Sequence, residues 1–362
     1  MSGLPAPARV EELLIQVAES LMRLPGARSV IVAGSVSRGE TGYLPTPEGA
    51  VLLGDVELLL IGELRHSRLA VDAAVASAVA RVPGFAEPPR VEVAQVPARR
   101  VGHQQRKLFV FETREAGRCV GGADLRRAFP RVTLANLDRD ELDEVYLHRL
   151  EALLAAAEDG ASPRVLRYAV ARNTLDLVTL MLPYCDVLLP TYRARAEYLQ
   201  THPDLPFLAA MPEGFVERIR TYTRWKVHPA ELPEVGGPTL VACLDDFAAA
   251  HSWLSTRGRL RLRRYARRRR VLRAVAAATR AVAFGRSRPA HAFRWLARRD
   301  FEDRVRLVTL LLRWRAGTGG PPGDEAFALL RGARLDPVSR PEGWAEWRAA
   351  YLGAWDVHRG AA

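Results

Sequence analysis

The chain carries one constellation whose residue types and spacing can do chemistry. Ser29-Val30-Ile31-Val32-Ala33 is short, apolar and largely β-branched, and it runs into Gly34-Ser35-Val36-Ser37-Arg38-Gly39. Such a run reads as a buried strand. Gly34 lets the backbone turn and approach a ligand closely, and Ser35 with the amides behind it can donate to phosphate oxygens. A second apolar run, Val56 to Leu60, carries Asp55 and Glu57 two residues apart. Strand side chains alternate, so both carboxylates share a face while Val56 and Leu58 take the other. Two such charges about 7 Å apart repel by on the order of 2 kcal/mol at an effective dielectric near 20. A divalent cation offsets that cost, and Mg²⁺ takes carboxylate oxygens together with substrate phosphates.

A third apolar run, Val91 to Val96, adds Glu92. Glu87 and Glu112 are rivals for its place. Apolar strand, Gly-Ser, spacer, Asp-apolar-acid and a carboxylate on a later strand together resemble the nucleotidyltransferase superfamily typified by DNA polymerase β. The matching residues are Gly34, Ser35, Asp55, Glu57 and Glu92, and Arg38-Gly39 fits the Gly-Ser-x-x-Arg-Gly form of the smaller members. Gly117-Arg118-Cys119-Val120-Gly121-Gly122 is similar to a stretch near the end of their catalytic domain. The resemblance covers about the first 130 residues. Two features depart from it. Nineteen residues separate Ser35 from Asp55, with Gly42, Pro45, Pro47 and Gly49 suggesting an inserted loop or hairpin, and the third carboxylate is Glu rather than Asp.

The resemblance implies an α+β protein. A nucleotidyltransferase-type mixed β-sheet with flanking helices would occupy residues 1–135, and a mostly α-helical domain, single or in two sub-bundles, residues 136–362. It also implies Mg²⁺ held by Asp55, Glu57 and Glu92, with Gly34, Ser35, Ser37 and Arg38 around the phosphates of an NTP. The expected reaction moves an NMP to a hydroxyl acceptor and releases pyrophosphate. The acceptor could be a small molecule, as in aminoglycoside-modifying relatives, a protein or an RNA end. The alternative is a module of the same fold without chemistry, binding nucleic acid or another anionic partner through a basic helical surface.

The elements that must hold these residues follow from periodicity. Ala8 to Leu24 reads as an amphipathic helix. Arg65 to Val82 reads as a second, with Leu69, Ala73, Val75 and Val79 toward a core. Leu108 to Glu112 reads as extended. From Glu141 onward, helical segments alternate with Gly- and Pro-rich loops.

Composition bounds the rest. The chain has 362 residues, 48% apolar and 26% charged, which suits a folded protein of two or more domains. There is no apolar run long enough for a membrane span, and Met1-Ser2-Gly3-Leu4-Pro5 does not read as a secretory signal. Cys119, Cys185 and Cys243 lie far apart, which points to a reducing, cytoplasmic setting and away from zinc. The net charge of +12 is nearly all arginine, since Lys107 and Lys226 are the only lysines. Its densest stretch is Arg257 to Arg273, ten arginines in seventeen residues. That stretch is either an anion-binding surface or a solvated helix in an arginine-biased chain.

Overall fold

The computed structural model describes residues 6–63, 65–138, 140–158, 163–233, 239–254, 301–324, 326–327, 330 and 341–359. The fold is mixed α+β and divides into two units. The first comprises Met1–Glu141, Asp186–His202 and Val216–Leu232; the second comprises Leu142–Cys185, Pro203–Phe215 and Pro233–Ala362.

The first unit is built on a four-stranded sheet. Its strands are β1 (Ala27–Ala33), β4 (Val56–Gly62), β5 (Val91–Pro97) and β6 (Arg118–Gly122), in the order β5-β4-β1-β6. β1 pairs antiparallel with β4 and β6, while β4 and β5 run parallel. The spacer between Ser35 and Asp55 forms the hairpin β2 (Gly42–Thr46) and β3 (Gly49–Leu53), closed at Thr46↔Gly49.

Alternation sorts the sheet faces. Val30, Val32, Val56, Leu58 and Leu60 pack in one core with Val10, Leu13, Leu14, Val17 and Leu21 of helix α1 (Ala6–Met22). Ile31, Ala33, Leu59 and Ile61 are buried as well. β1 and β4 thus have apolar residues on both faces, and their sequences are accordingly unbroken apolar runs rather than alternating ones.

Helix α3 (Arg68–Val79) opens at Ser67, whose hydroxyl accepts from Ala70 N at 3.2 Å. Its rotation corrects the expected inward set. Val71 and Ala78 are buried and Val75 and Val79 partly so, but Ala73 is exposed and Leu69 is 81% exposed. At 100° per residue, 71, 75, 78 and 82 form one face, and 69 and 73 fall off it.

The segment from Leu108, expected to be extended, is instead helix α4 (Leu108–Ala116). A remote group decides this. The Glu141 carboxylate accepts from Leu108 N at 2.7 Å, satisfying an amide that a helix start otherwise leaves open. No local pattern around residue 108 reveals that acceptor.

The second unit contains the helices Pro163–Met181, Leu240–Trp253, Phe301–Arg315 and Trp344–Arg359, together with most of Asp140–Ala156. Its core includes Leu150, Leu153, Leu177, Phe247, Leu311 and Trp347, all at most 2% exposed. Two buried hydroxyls cross-link it: that of Tyr146 donates to Phe247 O at 2.9 Å and that of Tyr351 to Glu151 Oε1 at 2.8 Å. Among the described residues no helix is long and apolar enough to cross a membrane. Arg257 to Arg273 lies outside the described residues.

Candidate functional site

The end of β1 and the start of β4 bring the Gly-Ser bend to the carboxylates. Ala33 pairs with Glu57, and Glu57 in turn pairs with Glu92 on β5. Laterally paired residues share a face, so Ala33, Glu57 and Glu92 form one row across three strands. Asp55 lies one residue before β4. By alternation it keeps to the side of Glu57, opposite the buried Val56 and Leu58.

Gly34 turns the chain out of β1 with φ +65°. A Cβ at this position would overlap Oε2 of Glu57. The left-handed backbone therefore favours glycine here, and a larger residue would also push the Glu57 carboxylate aside. The following short helix, α2 (Gly34–Ser37), is held locally. Ser37 Oγ donates to Gly34 O at 3.0 Å, and Glu40 N donates to Ser35 O at 2.9 Å. The Ser35 hydroxyl is half-buried and has no hydrogen-bond partner among the described residues.

Arg90 pairs with two carboxylates of the row. Its carbonyl accepts from Val56 N at 2.9 Å, which pins it beside Asp55 at the head of β5. Its guanidinium lies 3.5 Å from Asp55 Oδ1 and pairs with Glu92 Oε1. The Arg90 side chain is 72% exposed, so these are weak, easily exchanged pairs. Carboxylate oxygens suit a hard cation such as Mg²⁺, and three lie on one face. Among the described residues, however, no three His, Cys, Asp or Glu side chains are grouped closely enough to hold a metal by themselves. The donor set fits a metal in kind, though Asp55 and Glu92 are paired with Arg90 in this structure.

Arg38 has a different setting from the phosphate-facing one expected of it. Its side chain is 6% exposed, with Nε 3.0 Å from Glu40 Oε2 and Nη1 2.8 Å from Glu112 Oε2. The other Glu112 oxygen pairs with Arg195, itself 4% exposed. Both guanidinium groups lie 5.5 Å from the Tyr192 ring centroid. Glu40 also accepts from Arg193 N through its carboxylate and from the buried Lys226 Nζ through its carbonyl, each at 2.9 Å. Burial works against the charged form of Arg38, but Glu112, then Tyr192 and Glu40, outweigh it and hold the guanidinium above its ordinary pKa.

The rival carboxylates stand elsewhere. Glu87 is exposed in the chain between α3 and β5, and Glu112 is on α4 in the buried network. Glu40, Tyr192, Arg195 and Lys226 were not singled out from the sequence. The one signal for them was Lys226, a rare lysine in an arginine-rich chain. A scan against protein-family models and a comparison with curated proteins both yield no match.

Proposed function

We propose that the first unit is a nucleotidyltransferase-type domain that moves an NMP from an NTP to a hydroxyl acceptor. The observation that carries this reading is the Gly34–Glu57 contact: the Gly-Ser bend lies against a carboxylate that has Glu92 in register beside it and Asp55 on the same side. The partnerless Ser35 hydroxyl adds a donor at the same bend.

In this reading Asp55, Glu57 and Glu92 would hold Mg²⁺, which when bound neutralises charge on the phosphates and on the departing pyrophosphate. Ser35 and the backbone after Gly34 bind β- and γ-phosphate oxygens. Ser37 holds the turn by donating to Gly34 O. Arg38, anchored on Glu40 and Glu112, fixes where the turn ends. Glu92, about half exposed, orients the acceptor hydroxyl and takes its proton. The acceptor oxygen bonds to the α-phosphorus, the α–β bridging bond breaks, and pyrophosphate carries away the electron pair.

One observation favours the reading without chemistry: Arg90 already neutralises Asp55 and Glu92. Pyrophosphate release, screened with each of the four NTPs against mixed small-molecule, protein and RNA acceptors, separates the two. Release that disappears in Asp55→Asn and Glu57→Gln variants supports the enzyme. Release unchanged in both variants removes the carboxylates from the reaction, and NTP-independent binding of nucleic acid would favour the module.

A further inference from the structure

β4 has two ends. The carboxylates occupy the Asp55 end; Gly62 closes the other, about 20 Å away at 3.3 Å per residue. The parallel strands β4 and β5 finish there together, with Gly62 opposite Pro97, and β1 begins there, with Ala27 opposite Gly62. This topology gathers Arg28 from β1, Arg65 just past β4, and Arg99 and Arg100 directly past β5.

Two adjoining concavities lie among them, with volumes of about 390 and about 330 Å³. They share Glu63 and Arg99 in their walls. Among the described residues Glu63 is the only carboxylate lining either one, and it pairs with Arg28. The side chains of Arg65, Arg99 and Arg100 have no ion-pair partner among the described residues. Three uncompensated guanidinium groups around one hollow raise one another's energy, and an anion carrying more than one charge relieves that. Guanidinium forks match phosphate oxygens in pairs. The second concavity has an aliphatic lining, with Ala98, Val101, Leu125 and Ala128, which inorganic phosphate would leave unused but an organic body would cover. Among the described residues no aromatic side chain lines either concavity, so they offer stacked bases of a single strand no platform there.

We infer that this end of the sheet binds a small phosphorylated molecule, its phosphate on Arg65, Arg99 and Arg100 and its body on the Val101–Leu125 side. The site is separate from the carboxylate row and does not rest on the nucleotidyltransferase reading. The test is calorimetric titration of the full chain with ribose 5-phosphate, AMP and inorganic phosphate in EDTA, where metal-dependent binding is silent. The expected result is binding of at least one phosphomonoester more tightly than inorganic phosphate. It should weaken at least about tenfold in an Arg65→Gln/Arg99→Gln/Arg100→Gln variant and persist in Asp55→Asn. All three arginines are exposed, so an unchanged melting curve will show that the variant folds, and Arg99→Gln alone should give an intermediate loss. No phosphomonoester binding in EDTA, or equal binding by the triple variant, overturns the inference. So does salt-sensitive binding of a twelve-nucleotide RNA through these arginines that exceeds every small ligand.

Discussion

The Cα of Gly34 lies against the carboxylate of Glu57, closely enough that a side chain at position 34 would displace it. The bend after β1 and the acidic strand β4 are thereby one piece of structure. Gly34→Ala should destabilise the first unit by on the order of 2 kcal/mol through its left-handed φ alone, with the steric overlap adding to it. Glu57→Ala in the same chain should recover the steric part but not the backbone part. Chemical denaturation of the two single variants and the double variant measures this coupling. Additive losses would mean that the contact does not constrain position 34.

Arg90 bridges Asp55 and Glu92 through an exposed side chain. Removing that cation frees two carboxylates for a metal. Arg90→Gln should therefore tighten Mn²⁺ binding in the absence of nucleotide by about two- to tenfold, the range expected for losing two exposed ion pairs. Mn²⁺ titration by electron paramagnetic resonance reads it directly. Binding that weakens would show that Arg90 assists the metal rather than competing with it.

The buried network predicts an asymmetry between ion pairs. Glu112 accepts from Arg38 and Arg195, both nearly inaccessible, so Glu112→Ala removes one carboxylate from two buried guanidinium groups, leaving Arg38 on Glu40 and Arg195 on the Leu189 carbonyl, and should cost about 3 kcal/mol. Asp72→Ala breaks the exposed Arg68–Asp72 pair on α3 and should cost no more than about 0.5 kcal/mol. Urea denaturation compares the two. Similar small losses would mean that the network is solvated.

Acid should titrate Asp124 late. Hydrogen bonds from the Arg126 side chain chiefly hold its carboxyl down at about 2. A carboxyl depressed on folding stabilises the native state above its unfolded pKa and loses that contribution as pH falls through the folded value. The loss from Asp124 thus lies between the ordinary carboxylate range and about pH 2. Carbon-13 NMR of the carboxyl should give a midpoint there, returning toward the ordinary range in Arg126→Gln. A normal midpoint in the unmodified chain would dismiss the pair.

Local chemistry was legible wherever it rests on neighbours in the chain. The unbroken apolar runs of β1 and β4 marked buried strands, and Pro- and Gly-rich residues 42–49 marked the hairpin. What failed had distant causes. Leu108 looked extended until Glu141, thirty-three residues on, supplied the acceptor that caps α4. Leu69 looked internal because α3 could be rotated either way before its sheet was known.

The amino-acid order alone determined the strands β1, β4 and β5 and the helix α1, and that a glycine-serine turn precedes an acidic strand, because period and turn chemistry act over a few residues. Only the tertiary structure decided the partners. It placed Glu57 against Gly34 and Glu92 beside Glu57. It drew Tyr192, Arg195 and Lys226, far along the chain, into the first unit around Glu40 and Glu112. The reason is physical: a buried charge must find an opposite charge or a hydrogen bond wherever the fold offers one, and sequence spacing carries no record of that choice.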